Sequence, residues 1–200
     1  MSLRSKREDG FSTLELVIVV AMVLIVTAMA APSVFNMIYN IRLRSAAQTV
    51  SGMMQTARMQ AVRDNKYRYA CTGLAEGVTK TWVASSSACS VPASIDAQAQ
   101  LGTGLKLATA GYPGGINTAA GFGPLSTSYK PAFNERGLPC TVSGGRCLPT
   151  VSSVSGPLVA TFVIYLTDAR PVGANGWAAV TVSPAGRTQV WIWNGSVWNH

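Results

Sequence analysis

GFSTLELVIVVAMVLIVTAMAAPSVFNMIYNI, residues 10–41, is the stretch that decides the fold of this 200-residue chain. No Asp, Glu, Lys or Arg occurs between Leu16 and Ile41, and most of these 26 residues are Val, Ile, Leu, Met or Ala. About 20 apolar residues suffice to cross a bilayer as a helix. The stretch therefore predicts a membrane-compatible helix, and about 135 residues remain downstream for one domain with its own core.

The start of this segment differs from an ordinary secretory signal. Such a signal has an apolar run of about 7 to 15 residues that ends in a small-residue cleavage site. Here the run is longer, and no such site ends it cleanly. A simple transmembrane anchor fits the length, but it gives no reason for the acidic residue Glu15.

Glu15 is the candidate functional residue of the apolar segment. A carboxylate costs about 2.5 kcal/mol or more at the centre of a bilayer and usually marks function. A buried carboxylate needs a positive partner, and the segment contains no Lys or Arg. The first helical turn favours negative charge through the helix dipole. A plain anchor that tolerates an acid near the interface is the alternative.

The string GFSTLE at residues 10–15, followed by the uncharged run, resembles the class III leader of type IV pilins and type II secretion pseudopilins. The resemblance implies that a membrane-embedded prepilin peptidase cuts between Gly10 and Phe11 and that Phe11 is then N-methylated. It also implies that Glu15 neutralises the amino group of Phe11 on a neighbouring subunit. A helix break or bend is expected at Pro32, because proline removes a main-chain hydrogen bond.

The apolar pattern continues after Ile41 at helical spacing. Basic and amide residues, among them Arg42, Arg44 and Arg58, occupy the other faces. The pattern predicts that residues 42–65 are an amphipathic continuation of one helix that begins near Ser12. The residues expected to pack on the domain core are Leu43, Ala46, Ala47, Val50, Met53, Met54, Ala57 and Ala61.

Residues 66–200 are predicted to form a β-rich globular domain. Strands are expected at 66–71, 78–84, 105–107, 158–166, 177–182 and 188–193, with a loop at 85–99. The last two strands should form a hairpin around Ser183–Arg187, whose Pro and Gly favour a turn. The predicted fold class is α+β, and the resemblance implies the type IV pilin fold, with a long N-terminal helix whose second half packs on antiparallel sheet.

Four cysteines lie beyond the apolar segment, at Cys71, Cys89, Cys140 and Cys147. An even number in an exported domain favours disulfides. Three connectivities are possible, and Cys71–Cys89 with Cys140–Cys147 is favoured because each pair brackets a plausible hairpin. Zinc is the rival, but no spacing is C-x-x-C and the only histidine is His200, so no metal site is predicted.

Three further segments narrow the resemblance to GspH/FimT-type minor pilins. These are Ser51–Asn65 at the helix end, Phe133–Pro139 around an Arg-Gly dipeptide, and Val182–Arg187 at the closing hairpin; residues 85–130 match no motif. The resemblance implies a low-copy subunit that primes assembly near the filament tip. It fits a type IV pilus and a type II secretion pseudopilus equally.

Some members of that group bind DNA during natural transformation through basic residues at the closing hairpin, so DNA uptake is the alternative function that the resemblance implies. Arg187 occupies the matching position, but no second Lys or Arg lies in the turn. Phosphate binding usually recruits several cations, and Arg136, Arg146 and Arg170 are the candidates to join it. The net charge of +8, or +7 without residues 1–10, is compatible with DNA and with solvated surface charge.

Four tryptophans of the last strands have two interpretations, base stacking or packing in a core or subunit contact. Packing is favoured because they occupy alternating strand positions. They are Trp177, Trp191, Trp193 and Trp198.

Catalysis has little support in the sequence. The only histidine is terminal, and the acidic residues of the domain are scattered singly, so no enzyme activity, cofactor or small-molecule substrate is expected. The implied partners are other pilin-like subunits, the prepilin peptidase, the bacterial inner membrane and possible DNA. The implied location is a single-pass inner-membrane subunit with its C-terminal domain in the periplasm. A bitopic anchor carrying an unrelated adhesive β domain stays as the alternative.

Overall fold

The computed structural model describes residues 12–92, 98–122, 124–148, 150–153, 156–168, 170 and 176–200, without the side chains at 31, 32, 150–153 and 156–159. The predicted cleavage and methylation positions, Gly10 and Phe11, lie outside these residues. The chain divides into two compact units, one ending at Ile38 and the other comprising Tyr39–His200.

The long N-terminal helix, α1, runs from Thr13 to Asp64, which confirms the predicted helix to within one residue at each end. Ser12 caps it, because the Leu14 main-chain N–H donates to Ser12 Oγ at 3.3 Å. Helix α1 continues through Pro32 without interruption, in contrast to the predicted break. A proline removes one hydrogen bond of a helix, and the helix can continue on both sides of it, as it does here. The alternative expectation, a bend at Pro32, stays a prediction.

The first unit consists of the apolar part of α1. Its most apolar 18-residue window has a mean hydropathy of 2.7, and none of that window is buried within the structure. Among the described residues, α1 is the one helix whose length and composition would allow it to cross a membrane. The first unit therefore leaves its apolar side chains without cover from this chain.

The second unit is built around the amphipathic part of α1. Its predicted face is confirmed: Met53 is half-buried and the other seven side chains are fully buried. They pack with Ala70 and Phe133 from one sheet and with Ile164 and Val180 from another. This part of α1 is thus the spine of the domain core.

The described residues of the second unit form fourteen strands and one short helix. Their bounds are β1 Arg68–Ala75, β2 Val78–Ala84, β3 Gln98–Gln100, β4 Leu105–Leu107, α2 Ile116–Ala120, β5 Ser126–Thr127, β6 Ala132–Phe133, β7 Pro139–Ser143, β8 Arg146–Leu148, β9 Thr150–Ser153, β10 Gly156–Val159, β11 Phe162–Asp168, β12 Gly176–Val182, β13 Thr188–Trp193 and β14 Trp198–Asn199.

The strands form two large sheets and one hairpin. The first sheet has the order β3-β2-β1-β6-β7-β8, and the second has the order β14-β13-β12-β11-β4. Strands β9 and β10 pair with each other. All these pairings are antiparallel, and β5 joins β11 in parallel. The architecture is therefore α+β, a long N-terminal helix followed by antiparallel sheet.

Strand β11 is buried on both faces, which explains its almost continuous apolar sequence. Ile164 and Leu166 face the core formed with α1. Val163 and Tyr165 lie on the opposite face, in a second cluster with Trp191 and other residues. Neither α2 nor this second layer was predicted, because α2 has only five residues and no repeating apolar pattern.

One predicted strand, 158–166, is two strands in the structure. β10 ends at Val159 and pairs with β9, whereas β11 begins at Phe162 and pairs with β12. Between them, Thr161 Oγ1 donates to the Pro124 carbonyl at 2.7 Å, and Ser126 N–H donates to the Thr161 carbonyl at 3.0 Å. Where the chain passes from one sheet to the other, these hydrogen bonds to the segment 124–126 take the place of hydrogen bonds between paired strands.

Both favoured disulfides are present. Cys71 is bonded to Cys89 with Cα atoms 5.8 Å apart, and Cys140 to Cys147 with Cα atoms 5.4 Å apart. Cys71 and Cys140 are buried in a third apolar cluster that also contains Trp82. The two disulfides therefore close hairpins on the first sheet.

The buried Tyr165 hydroxyl makes stability depend on alkaline pH. Burial, followed by the neighbouring Tyr112, raises the pKa of Tyr165 to about 12 from an ordinary 10.0. In the unfolded chain the phenol ionises first, so the free energy of unfolding should fall by about 1–2 kcal/mol as pH rises from 10 through 12. Denaturant unfolding of Tyr165→Phe, which keeps the ring that stacks on Tyr112, should show a smaller fall.

Tyr129→Phe is the control, because Tyr129 is exposed. Its free energy of unfolding should fall between pH 10 and 12 by as much as that of the wild type. Equal alkaline sensitivity of the wild type and Tyr165→Phe would contradict the prediction.

Candidate functional site: a basic groove beside the closing hairpin

The closing hairpin places Arg187 at the surface through a tight turn. Strands β12 and β13 pair up to Val182 and Thr188, and Gly186 N–H donates to the Ser183 carbonyl at 2.8 Å. Ser183 Oγ also accepts from Arg187 N–H at 3.1 Å. Gly186 has a φ of +75°, which glycine adopts without the strain that a Cβ would cause. The predicted hairpin is confirmed, and its turn leaves the Arg187 side chain exposed.

A second turn, at Asn134–Leu138, is organised by one buried amide. Asn134 Oδ1 accepts from Arg136 N–H at 3.0 Å and from Leu138 N–H at 2.9 Å. Gly137, with a φ of +73°, donates its N–H to the Asn134 carbonyl at 2.9 Å. The asparagine therefore holds the Arg-Gly segment in a fixed turn, as an Asx residue commonly does.

Arg58 of α1 is the point at which both turns meet the helix. Its Nη1 donates to the Gly186 carbonyl at 3.2 Å. A Cβ at Gly137 would lie 2.9 Å from Arg58 Nε, and one at Gly186 would lie 2.6 Å from the Gly137 carbonyl oxygen. The two glycines are therefore required by close approach as well as by their φ angles.

The beginning of β13 is also fixed to the helix. Thr188 Oγ1 lies 2.8 Å from Ser51 Oγ and 3.1 Å from Gln55 Nε2, both hydrogen bonds. With the Arg58 contact, the three segments that resemble minor pilin motifs come together at one face of the domain. Nothing in their separate spacings predicted this contact.

A groove of about 620 Å³ lies between the helix end and the closing hairpin. Its apolar floor includes Met59 and Val62, whose exposed fractions are 63% and 51%. Arg58, Arg63 and Arg187 supply positive charge around that floor. The remaining lining residues are Gln55, Gly186 and Thr188. Basic and apolar surface thus occur together.

One carboxylate lies beside the groove. Asp64 accepts from Arg63 Nε at 2.9 Å and from Arg68 Nη2 at 2.6 Å. Both hydrogen bonds lower the pKa of Asp64, which falls to about 2, and the bond from Arg63 has the largest effect. Asp64 is therefore ionised at neutral pH and offsets part of the positive charge of Arg63, while Arg187 has no carboxylate partner among the described residues.

A second cavity, of about 780 Å³, is lined by residues of the hairpin turn. Arg187 and Thr188 line both cavities, and Phe122 and His200 line only the second. Arg187 therefore stands at the junction of a basic groove and a cavity with aromatic side chains.

The structure separates the four predicted DNA-binding arginines. Arg136 and Arg146 are exposed, but neither lines the groove that contains Arg187. Arg170 donates to Asp168 Oδ1 at 3.2 Å and to Asn40 Oδ1 at 2.7 Å, and Asn40 precedes Arg58 by about 27 Å of helix. Arg170 therefore lies beside the buried carboxylate of Asp168, away from the groove that contains Arg187, and the DNA-binding role of the four arginines stays a prediction.

Sequence reasoning missed the arginines that do share the groove, Arg58 and Arg63. Both belong to the helix, and their spacing of five gave no sign that they face Arg187. The contact follows from packing between residues 128 positions apart. The periodicity of the helix, with Ala57 and Ala61 on the predicted buried face, indicated only that Arg58 and Arg63 lie on other faces.

The tryptophans are mainly packing residues, as predicted. Trp191 and Trp198 are buried in the second cluster, with Trp177 and Trp193 packed against it. Trp191 Nε1 donates to Thr181 Oγ1 and Trp198 Nε1 to the Gly114 carbonyl, each at 2.9 Å. These bonds satisfy the indole N–H groups inside the domain.

The other candidate residue, Glu15, lies exposed in the first turn of α1. No Lys or Arg pairs with it among the described residues. Its predicted counter-charge, the amino group of Phe11 on another subunit, lies outside those residues.

No protein-family model matches this chain, and comparison with curated proteins and with solved structures gives no significant match. The resemblance to type IV pilin-like subunits rests on the leader, the domain motifs and the α+β architecture.

The close approach of the two turns predicts a specific cost for Gly186→Ala. Gly145→Ala is the matched control, because Gly145 has a φ of +76°, close to the +75° of Gly186, but open space around its Cβ position. Both variants suffer left-handed backbone strain, and only Gly186→Ala clashes with Gly137. Denaturant unfolding should place Gly186→Ala about 1–3 kcal/mol below Gly145→Ala. Equal stability of the two variants would show that the turns do not press together.

Proposed function

We propose that this chain is a minor pilin or pseudopilin, a structural subunit of a type IV pilus or a type II secretion pseudopilus. The observation that carries the proposal is the exposed apolar part of α1, which continues as one helix into the core of a disulfide-bonded β domain. Contiguous apolar surface of this extent needs a membrane or another protein to cover it.

The apolar helix of a filament subunit is surrounded first by the membrane and then by other subunits. Before assembly the apolar helix lies in the bilayer, whose hydrocarbon accommodates a helix of this length. After assembly the same side chains pack against the helices of neighbouring subunits. Because both environments are apolar, transfer between them does not require exposure of the helix to water.

Glu15 supplies specificity to this transfer. Its carboxylate is costly in hydrocarbon, and a neighbour's trimmed amino terminus offsets that cost with a positive charge. The contact is heterologous, since the acid of one subunit meets the terminus of the next. A heterologous contact that does not close into a ring produces a helical filament.

The disulfides agree with export of the domain. Cys71–Cys89 and Cys140–Cys147 are compatible with an oxidising compartment. We place α1 across the inner membrane and the domain in the periplasm, and the resemblance to GspH/FimT-type subunits favours a priming role at the filament tip. No cofactor or catalytic activity is part of the proposal.

Glu15→Gln tests assembly and keeps the shape of the side chain. In cells, the variant should still be trimmed before Phe11 but should lose most incorporation into sheared filaments, because the amide cannot neutralise an amino terminus. Immunoblotting of filament fractions and mass spectrometry of the N-terminus measure these results.

Glu135→Gln is the matched control, since Glu135 is an exposed carboxylate of the domain. It should be incorporated like the wild type. An untrimmed wild-type chain that is missing from the filament fractions would instead favour the bitopic anchor with an adhesive domain. Normal incorporation of Glu15→Gln would contradict the assembly role of Glu15.

DNA binding is the second candidate function. The observation in its favour is that Arg187 shares one groove with Arg58 and Arg63, so three cations border a single surface. The adjoining cavity with Phe122 offers a ring on which a base of single-stranded DNA could stack. Several cations with an adjacent aromatic side chain are a common arrangement for such binding.

Arg187→Ala tests DNA binding, with Arg146→Ala as the control because Arg146 is equally exposed but lies off the groove. The full chain in uncharged detergent is titrated with single-stranded DNA at several salt concentrations. The logarithm of the affinity is then plotted against the logarithm of the salt concentration. Arg187→Ala should reduce the slope of this plot by about 0.7, the value for one lost phosphate contact. Equal effects of the two variants would indicate non-specific attraction and contradict a site.

A further inference from the structure

A separate cavity of about 440 Å³ lies where α1 enters the domain. One wall is the helix segment 41–49, and the other is the chain segment 100–105. Its volume is within the range of about 300–1,000 Å³ that is typical of small-molecule sites. All of its lining residues belong to the second unit.

Arg42 supplies the charge of this cavity. It is exposed, and no carboxylate pairs with it in the part of the chain that the structure describes. It is also the first charged residue after the 26 uncharged residues from Leu16 to Ile41. A cation at this position lies where a membrane-spanning helix leaves the hydrocarbon and reaches the phosphates.

Neutral hydrogen-bond donors accompany Arg42. Ser45 and Thr103 contribute exposed hydroxyls, and Gln100 contributes an exposed amide. Thr49 lines the cavity too, but its hydroxyl already donates to the Ser45 carbonyl at 3.0 Å. One guanidinium, two hydroxyls and one amide are suited to the several acceptor oxygens of a phosphate.

The apolar residues of the cavity complete an amphipathic site. Leu101 and Leu105 are buried, and Ile41, with an exposed fraction of 57%, precedes Arg42 as the last residue of the uncharged segment. A lipid headgroup presents its phosphate at the membrane surface and keeps its acyl chains in the hydrocarbon, so it fits a site with this order.

We propose that this cavity binds the phosphate of an anionic glycerophospholipid in the membrane that holds the subunit. The bound lipid fixes the height of the domain above the bilayer. The inference rests on the membrane placement in the proposed function, but not on filament formation or DNA binding.

Arg44 provides a matched control. It is exposed and lies two residues after Arg42, about 200° around the helix. It does not line the cavity. Arg42→Ala and Arg44→Ala therefore remove the same charge at nearly the same depth, and only the first removes a lining residue. General attraction to an anionic surface would be reduced equally by both.

The test uses the full chain in uncharged detergent, titrated with short-chain phosphatidylglycerol or phosphatidylcholine and read by native mass spectrometry. The wild type should prefer phosphatidylglycerol. Arg42→Ala should weaken its binding about tenfold, as expected for loss of a charge-assisted hydrogen bond, and Arg44→Ala should stay within about twofold. Any leader cations are the same in all three proteins. Equal losses in the two variants, or no loss in either, would overturn the proposal.

Two further arms sharpen the result. Thr103→Val removes a hydroxyl but nearly conserves volume, and it should also weaken phosphatidylglycerol binding while circular dichroism stays unchanged.

Inorganic phosphate should not displace the lipid at equal concentration, and effective displacement would assign the site to free phosphate instead. A chain that inserts into lipid nanodiscs without this selectivity defeats only the present inference, whereas failure to insert defeats the proposed function as well.

Discussion

Helix α1 carries two kinds of surface along one continuous main chain, and the rest of the molecule depends on that difference. From Leu14 to Ile38 the large apolar side chains are exposed, and a contiguous apolar surface of this extent is typical of a segment that contacts a membrane or another protein. From Leu43 onward one face is fully buried against both sheets. The second part therefore contributes to the domain core, and the first part stays exposed.

The contact among Arg58, Gly137 and Gly186 gives the domain its most specific surface. Gly186 has no side chain to separate the closing hairpin from the Asn134–Leu138 turn, and the guanidinium of Arg58 fills the space beneath both. The same guanidinium borders the groove with Arg63 and Arg187. Arg58 therefore supports the contact between the two turns and also contributes charge to the groove. A substitution of Arg58 would change the contact and the groove together.

Paired and unpaired cations divide the positive charge of the domain into two groups. Lys80 pairs with Glu76, Arg68 with Asp64, and Arg170 with Asp168. Arg42 and Arg187 have no acidic partner among the described residues, and each lines a cavity. Net charge alone could not distinguish these groups, because neutralisation depends on which carboxylates lie nearby in the folded chain.

The sequence by itself determined α1, its buried face and the closing hairpin, and it favoured one of three cysteine pairings, because periodicity, turn residues and short spacings are local properties. The tertiary structure alone decided that residues 158–166 change sheets at Ala160 and Thr161, that Arg170 reaches Asn40, and that Arg58 and Arg63 share a groove with Arg187. These outcomes depend on contacts between distant segments. Arg58 and Gly186 lie 128 residues apart, and only the packing of the sheets on the helix brings them together.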